Sequence, residues 1–101
     1  MKEREVSRYL NLRVKQLGGG IRRVKWIGRN NAPDKLVMFQ GAHGWVEEKR
    51  TDKEAEAAQA REHRRMRAAG MVVRVVASDE DVDRFLRILQ AHAAKFTKGM
   101  V

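Results

Sequence analysis

The sequence predicts a small α/β domain in which a helix is followed by three strands, a second helix, a fourth strand and a last helix. Apolar residues recur at helical spacing in three separate segments. Short runs rich in valine, isoleucine and aromatic residues stand between these segments, as in strands. The chain has 101 residues and shows no internal repeat or linker, so we expect one domain over residues 1–101.

The first half of the chain is predicted to hold one helix and three strands. Apolar positions recur every three to four residues from Val6 to Leu17, and the glycines at 18–20 end that helix. The three strands that follow are separated by turn-forming residues and cover residues 21–27, 34–40 and 45–49. The last two form a hairpin around the short turn at residues 41–44.

The second half is predicted to alternate between helix and strand. Thr51 and Glu54 have the spacing of a capping box, so the second helix should begin there and run to Ala69, with Gly70 as its left-handed C-cap. The valine-rich segment 71–76 predicts a strand. A similar cap at residues 78–81 opens the last helix, and residues 94–101 are expected to form a flexible tail.

The amino-acid composition limits the classes of function that the chain can have. Lysine and arginine outnumber aspartate and glutamate by 22 to 13, and the net charge of +9 favours a polyanion such as nucleic acid. Aromatic residues make up only 6%, so base stacking is not the main mode of binding. The absence of cysteine excludes thiol catalysis and cysteine–zinc sites. His43, His63 and His92 lack metal-motif spacing, and we expect surface or structural roles for them.

The location of the protein is also predicted from what the sequence lacks. No apolar run approaches the roughly 18 residues of a membrane span, and the charged start lacks the apolar core of a signal peptide. We therefore expect a cytoplasmic protein with no membrane partner, in a bacterial or phage-infected cell.

The strongest candidate site combines Asp34, which follows Pro33, with Glu47 and Lys49. Residues i and i+2 of a strand point to the same face, so Glu47 and Lys49 project together, and the hairpin can bring them level with Asp34. Glu48 must then point to the opposite face, which is usually apolar in a central strand. Carboxylates in such an arrangement suit Mg²⁺ or Mn²⁺. Each element also has a simpler interpretation on its own. Asp34 could be an ordinary acid in a turn after proline, and Glu47 and Lys49 could form a solvated pair on an edge strand.

In this order the elements and motifs resemble the virus-type replication-repair nuclease (VRR-NUC) domain of the PD-(D/E)xK nuclease superfamily. The resemblance runs from Glu3 to about Phe85. It includes the Gly-Arg-x-x-x-Pro-Asp run at 28–34, the acidic strand at 45–49 and the glutamine-led helix that begins at Gln59. It implies a restriction-endonuclease-like αβββαβα core, with a mixed sheet flanked by helices.

The resemblance also implies roles for individual residues. Asp34 and Glu47 would be side-chain metal ligands, Glu48 a ligand through its backbone carbonyl, and Lys49 the catalytic lysine. Glu3 would reach the metal from the first helix, and Gln59 would join the catalytic residues from the second. The candidates for contacts with DNA phosphates are Arg23, Lys25, Arg29, Arg61, Arg64 and Arg65. The basic residues of the second helix are also readable as a solvated face.

The chain departs from the family pattern at three positions. The family usually carries an apolar residue where Glu48 stands, glycine where Asn31 stands and lysine where Arg23 stands. None of these changes removes a metal ligand.

The sequence therefore predicts an Mg²⁺- or Mn²⁺-dependent endodeoxyribonuclease that acts on structured or branched DNA in replication, repair or recombination. The resemblance further implies a symmetric homodimer. Apolar residues beyond the core stripes of the first and last helices, Tyr9 and Leu12 or Ile88 and Phe96, are the candidates for its contact surface, and they are also readable as part of the monomer core. Two alternatives stay open at this point. One is a nucleic-acid-binding module with the nuclease fold and no activity, and the other is a basic accessory protein.

Overall fold

The protein folds as an α/β domain in which helices cover both faces of a four-stranded mixed sheet, as the sequence predicts. The structure is a computed structural model that describes the backbone of residues 1–99 and the side chains of residues 1–96. Its elements in chain order are α1 (Glu3–Gln16), β1 (Gly20–Arg23), β2 (Lys35–Phe39), β3 (Ala42–Glu48), α2 (Ala57–Ala68), β4 (Val73–Val76) and α3 (Asp79–Gly99).

The strands lie in the order β1-β2-β3-β4. The first three form an antiparallel meander, in which Lys35 pairs with Val46 and Phe39 with Ala42 across the β2–β3 hairpin. Strand β4 runs parallel to β3 after the crossover through α2, with Glu47 opposite Val75. A parallel pair requires such a crossover because its strands cannot be joined by a tight turn.

Each face of the sheet carries its own apolar cluster. On one face, the stripes of α1 and α3 pack against Val37, Val46 and Val76. On the other face, Met66 of α2 packs against Trp45 and Val73. The side chains of β3 therefore alternate between the α1/α3 face and the α2 face, as its pleat requires.

The first strand is shorter than predicted. It ends at Arg23 instead of Ile27, and the last backbone link to the neighbouring strand runs from the Val24 N–H to the Asp34 carbonyl at 2.8 Å. Trp26 turns inward and donates from Nε1 to the Pro33 carbonyl at 2.8 Å, while Ile27 is 95% exposed. An alternating pattern forms a strand only where a neighbouring strand continues the backbone hydrogen bonds. After β1 the chain moves away from β2 and forms a loop instead.

The predicted start of α2 is wrong. The helix begins at Ala57, and its first turn is closed by the Glu56 N–H, which donates to Oε1 of Gln59 at 3.0 Å. The Thr51 hydroxyl does not cap a helix, because it donates to the Ala77 carbonyl at 2.8 Å. A tertiary contact to the segment after β4 thus takes the group that the local spacing assigned to a cap.

The other helix ends agree better with the sequence. Ala69 is the C-cap of α2, and Gly70 follows with φ +94°, a conformation that favours glycine. At the start of α3, the Asp81 N–H donates to the Ser78 hydroxyl at 3.1 Å, as the predicted cap requires. Helix α3 continues to Gly99 through the first part of the predicted tail, and residues 100 and 101 lie outside the described residues. Among the helices that the structure describes, none is long and apolar enough to cross a membrane.

Candidate active site

Asp34 and Glu47 lie beside each other at the edge of the sheet face that α2 covers. Lys35 pairs with Val46 in the antiparallel register, and extension of this register by one residue places Asp34 opposite Glu47. Trp45 packs on the α2 face, so Glu47 and Lys49, two and four residues further on, share that face. The structure therefore brings together the three residues that the sequence singled out.

Several carboxylates lie close enough to Glu47 to change its pKa. Burial is the main cause that raises the pKa of Glu47 to about 7. The Lys49 ammonium lowers this pKa, while the negative charges of Asp34, Glu3 and Glu48 raise it, in that order of size. Glu3 stands at the exposed start of α1, so the first helix does contribute a carboxylate to the field at Glu47.

His63 of α2 forms part of the wall of this site. It is only 1% exposed, and its Nε2 lies 3.7 Å from Oε1 of Glu47, too far for a hydrogen bond. Burial is the main cause that lowers the pKa of His63, and the charge of Arg67 lowers it further. The ring is therefore neutral near pH 7, and its contact with Glu47 is not an ion pair.

The donor set fits a hard divalent cation. Magnesium is usually held by one or two carboxylates, with water and substrate phosphate oxygens in the remaining positions. Asp34 and Glu47 supply such a pair. Their repulsion adds to burial in raising the pKa of Glu47, and a bound cation would balance their negative charges. Within the described part of the chain, no three acidic or histidine side chains are already arranged to hold a metal. The residues therefore fit an open site and not a closed cage.

Glu48 points to the opposite face of the sheet and is paired there. Its Oε1 lies 2.7 Å from Nζ of Lys35, which also donates to the Ser7 hydroxyl of α1 at 2.7 Å. The side chains of Lys35 and Glu48 are about nine-tenths buried, and Oε2 of Glu48 has no hydrogen-bond partner among the described residues. The acid at this buried position is thus accommodated by a buried lysine on the neighbouring strand.

Gln59 stands one helical turn before His63 on the same side of α2. Its side-chain carbonyl accepts the hydrogen bond from the Glu56 N–H at 3.0 Å, so in this arrangement it caps the helix. The structure thus gives Gln59 a helix-capping contact beside its predicted catalytic role.

A basic cleft adjoins Asp34. It has a volume of about 430 Å³ and is formed by the β1–β2 loop, including three of the predicted DNA contacts, Arg23, Lys25 and Arg29. The loop is held against the sheet because the Trp26 ring stacks obliquely on Trp45, with centroids 4.9 Å apart. Asn31, which also lines the cleft, has φ +69°. This left-handed conformation favours glycine, and asparagine is among the residues that tolerate it best.

Glu62 of α2 ties this loop to the helix. Its carboxylate accepts hydrogen bonds from Nε and Nη2 of Arg29, the first at 3.0 Å, and from Nε of Arg65 at 2.9 Å. The hydrogen bond from Arg29 is the main cause that lowers the pKa of Glu62 to about 2, so the group is charged at every working pH. Two of the predicted DNA contacts are thus held by one acid.

The remaining basic residues of α2 differ in their surroundings. Arg61 and Arg64 are exposed, as contact with a phosphate backbone requires. Arg67 donates to the Val73 carbonyl at 3.0 Å and so links α2 to β4.

Glu62 and His63 also belong to the site, although the sequence motifs do not predict them there. Both are buried, although charged and polar residues are usually exposed on a helix. A signal was present: the two residues lie between Gln59 and Met66 at helical spacing, on the side that faces the sheet. Because both residues are polar, this buried side of α2 does not stand out in the sequence as an apolar stripe.

Comparison with solved structures gives a match that covers most of the chain. No protein-family model matches the chain, and no curated protein does. A solved structure described as a VRR_NUC domain is 34% identical in sequence and superposes with a TM-score of 0.75. The match covers 86% of this chain and 97% of the other one.

Proposed function

The chain belongs to the VRR_NUC family of nuclease domains, and from this premise we propose that it is an endodeoxyribonuclease that depends on Mg²⁺ or Mn²⁺. The observation that carries the proposal is the convergence of Asp34, Glu47 and Lys49 on one sheet face beside a basic cleft. Both features support phosphodiester hydrolysis, since carboxylates can hold a cation and basic side chains can hold the strand.

Each residue has a distinct part in the proposed reaction. Asp34 and Glu47 hold the cation, with Glu3 and the Glu48 backbone carbonyl as the further candidates at the same edge. A divalent cation held there would polarise the phosphoryl group and lower the pKa of the attacking water. Lys49 supplies a positive charge on the same face, where it orients the water or stabilises the charge that develops on the phosphoryl oxygens. Burial beside His63 limits water around Glu47 and strengthens these interactions.

The substrate we propose is structured or branched DNA, cut by a homodimer in replication, repair or recombination. The net charge of +9 and the basic cleft support a polyanionic substrate bound through its phosphates. A two-fold dimer carries two equivalent sites, which can cut paired strands of a junction in one encounter.

The test is a cleavage assay over a panel of duplex, flap, nicked and junction DNA, with Mg²⁺, Mn²⁺ or EDTA. We expect cleavage only with the divalent cation, and a loss of at least about a hundredfold in Asp34→Asn, Glu47→Gln and Lys49→Met. The matched control is Asp52→Asn, which removes an exposed acid outside the site. Wild-type rates in any two of the three site variants, or full activity in EDTA, would refute the proposal.

A second readout does not depend on activity. Addition of Mn²⁺ at pH 8 should raise the melting temperature of the wild type, because a cation that binds only the folded state stabilises it. Asp34→Asn and Glu47→Gln should lose this response, while Asp52→Asn keeps it. If the wild type binds DNA but shows neither cleavage nor a metal response, the inactive nucleic-acid-binding module is the correct assignment.

A further inference from the structure

We propose that Glu62 is a positioning residue, whose buried carboxylate fixes the Arg29 guanidinium at the wall of the cleft beside Asp34 and so builds a phosphate-binding subsite for the DNA strand. The inference rests on the proposed function, because the ligand of the subsite is a phosphate of DNA. This role accounts for an acidic residue in a surface that is proposed to bind the negatively charged DNA backbone.

The contacts around Glu62 are those of a built site. Glu62 is only 6% exposed, and both of its oxygens accept hydrogen bonds from arginine. The pairing with Arg29 is bidentate, through Nε and Nη2 of the guanidinium. A bidentate arginine–carboxylate pair fixes the plane of the guanidinium as well as its distance. Arg29 is therefore held in one orientation, although its side chain is 47% exposed.

The subsite uses the hydrogen-bond donors of Arg29 that Glu62 leaves unpaired. Its Nη1 makes no hydrogen bond within the part of the chain that the structure describes, and the residue lines the same cleft as Asp34. A free arginine on a flexible loop would lose side-chain entropy when it binds a phosphate. Glu62 removes part of that loss in advance, which is the usual benefit of preorganisation.

A purely electrostatic view predicts the opposite effect of Glu62. An acid close to a DNA phosphate repels it, so removal of the charge should strengthen binding. Positioning predicts that the same change weakens binding, because Arg29 is released. The sign of the effect therefore separates the two views.

The experiment measures the affinity of a fluorescent duplex DNA in EDTA, where no cleavage occurs, for Glu62→Gln and Glu80→Gln. Both substitutions remove one negative charge, and Glu80 is exposed at the start of α3. We expect Glu62→Gln to bind on the order of tenfold more weakly than the wild type. Glu80→Gln should bind as tightly or up to about twofold more tightly. Equal or tighter binding by Glu62→Gln overturns the inference.

Two further variants show whether Glu62 acts through Arg29. In the Arg29→Gln background, Glu62→Gln should cause no further loss of affinity, whereas independent effects would be additive and would overturn the inference. Arg29→Lys keeps the charge but cannot pair in the bidentate mode, and it should also bind on the order of tenfold more weakly. Arg87→Lys, at an exposed position of α3 outside the cleft, is its control and should bind as tightly as the wild type. This pair decides the question even if Glu62→Gln does not fold.

The failure of this inference is distinct from failure of the proposed function. If wild-type protein binds DNA and cleaves it while Arg29→Lys and Glu62→Gln bind normally, only the role of Glu62 is wrong. If the wild type binds no DNA, both proposals are wrong.

Discussion

Nε2 of His63 lies 3.7 Å from Oε1 of Glu47 and has no hydrogen-bond partner among the described residues. A neutral ring thus stands against a carboxyl group in a part of the protein that excludes water. Burial is the main cause that disfavours the charged form of each group. The energetic cost of this arrangement is measurable in the metal-free protein.

The first prediction concerns the pH dependence of stability. Because the pKa of Glu47 is raised from 4.5 to about 7 on folding, its neutral form favours the folded state, and this contribution is lost as the pH rises through about 7. In EDTA, Glu47→Gln should therefore gain up to about 3 kcal/mol in free energy of unfolding, relative to the wild type, between pH 4.5 and pH 8. Denaturant titrations at the two pH values measure this difference.

The control for that experiment is Glu54→Gln, an exposed acid. Its difference from the wild type should stay within about 0.5 kcal/mol at both pH values. A flat difference for Glu47→Gln as well would show that burial does not disfavour the charged form of Glu47.

The second prediction is that His63→Leu stabilises the metal-free protein by about 1 kcal/mol at pH 7. The substitution removes a buried nitrogen without a partner and keeps a side chain that packs against the sheet. Thermal or denaturant unfolding measures the change. His92→Leu, at an exposed position of α3, should leave the free energy of unfolding within about 0.5 kcal/mol of the wild type. Destabilisation by His63→Leu would show that the imidazole makes a necessary contact.

The third prediction concerns the buried pair of Lys35 and Glu48. Lys35→Met leaves the Glu48 carboxylate buried without its partner, and Glu48→Leu leaves the ammonium in the same position. Each single variant should lose about 3 kcal/mol in free energy of unfolding, while the double variant should lie close to the wild type. Additive losses in this double-mutant cycle would mean that the two side chains act independently.

The fourth prediction is that DNA binding depends steeply on salt and little on base sequence. If three to five phosphates are neutralised, the logarithm of the affinity should fall with the logarithm of salt with a slope of about −3 to −5. Arg23→Gln, at the cleft, should reduce this slope by about one, and Arg87→Gln, exposed on α3, should leave it unchanged. Titrations on two unrelated sequences test both statements, and a flat salt response contradicts them.

The fifth prediction is that the protein is a dimer in solution, with twice the 11.6 kDa mass of the chain. The structure changes the set of candidate contacts, because the Tyr9 hydroxyl is used within the chain and donates to Asp83 at 2.9 Å. Leu12 and Phe96 remain about half exposed, and Phe96 lines an apolar cleft of about 520 Å³. Light scattering at micromolar concentration should give the dimer mass, and Phe96→Glu or Leu12→Glu should reduce it. A fully active monomer contradicts the prediction.

The order of elements and the central residues of the site followed from local features of the sequence. These features depend only on residues close to them in sequence, so they can be predicted without knowledge of the fold. They are the apolar stripe that begins at Val6, the cap formed by Ser78 and Asp81, and the glycine at position 70. The i, i+2 relation of Glu47 and Lys49 is likewise a property of any strand.

The tertiary structure decided which polar groups have partners. Arg29 and Glu62 stand 33 positions apart, and Thr51 finds its acceptor at Ala77. Lys35 and Glu48 meet only because β2 and β3 pair in one register. Burial is also decided at this level, since the raised pKa of Glu47 depends on α2 covering the strand. Local spacing specifies which face a residue occupies, but partners distant in sequence determine whether its charge is paired, buried or free.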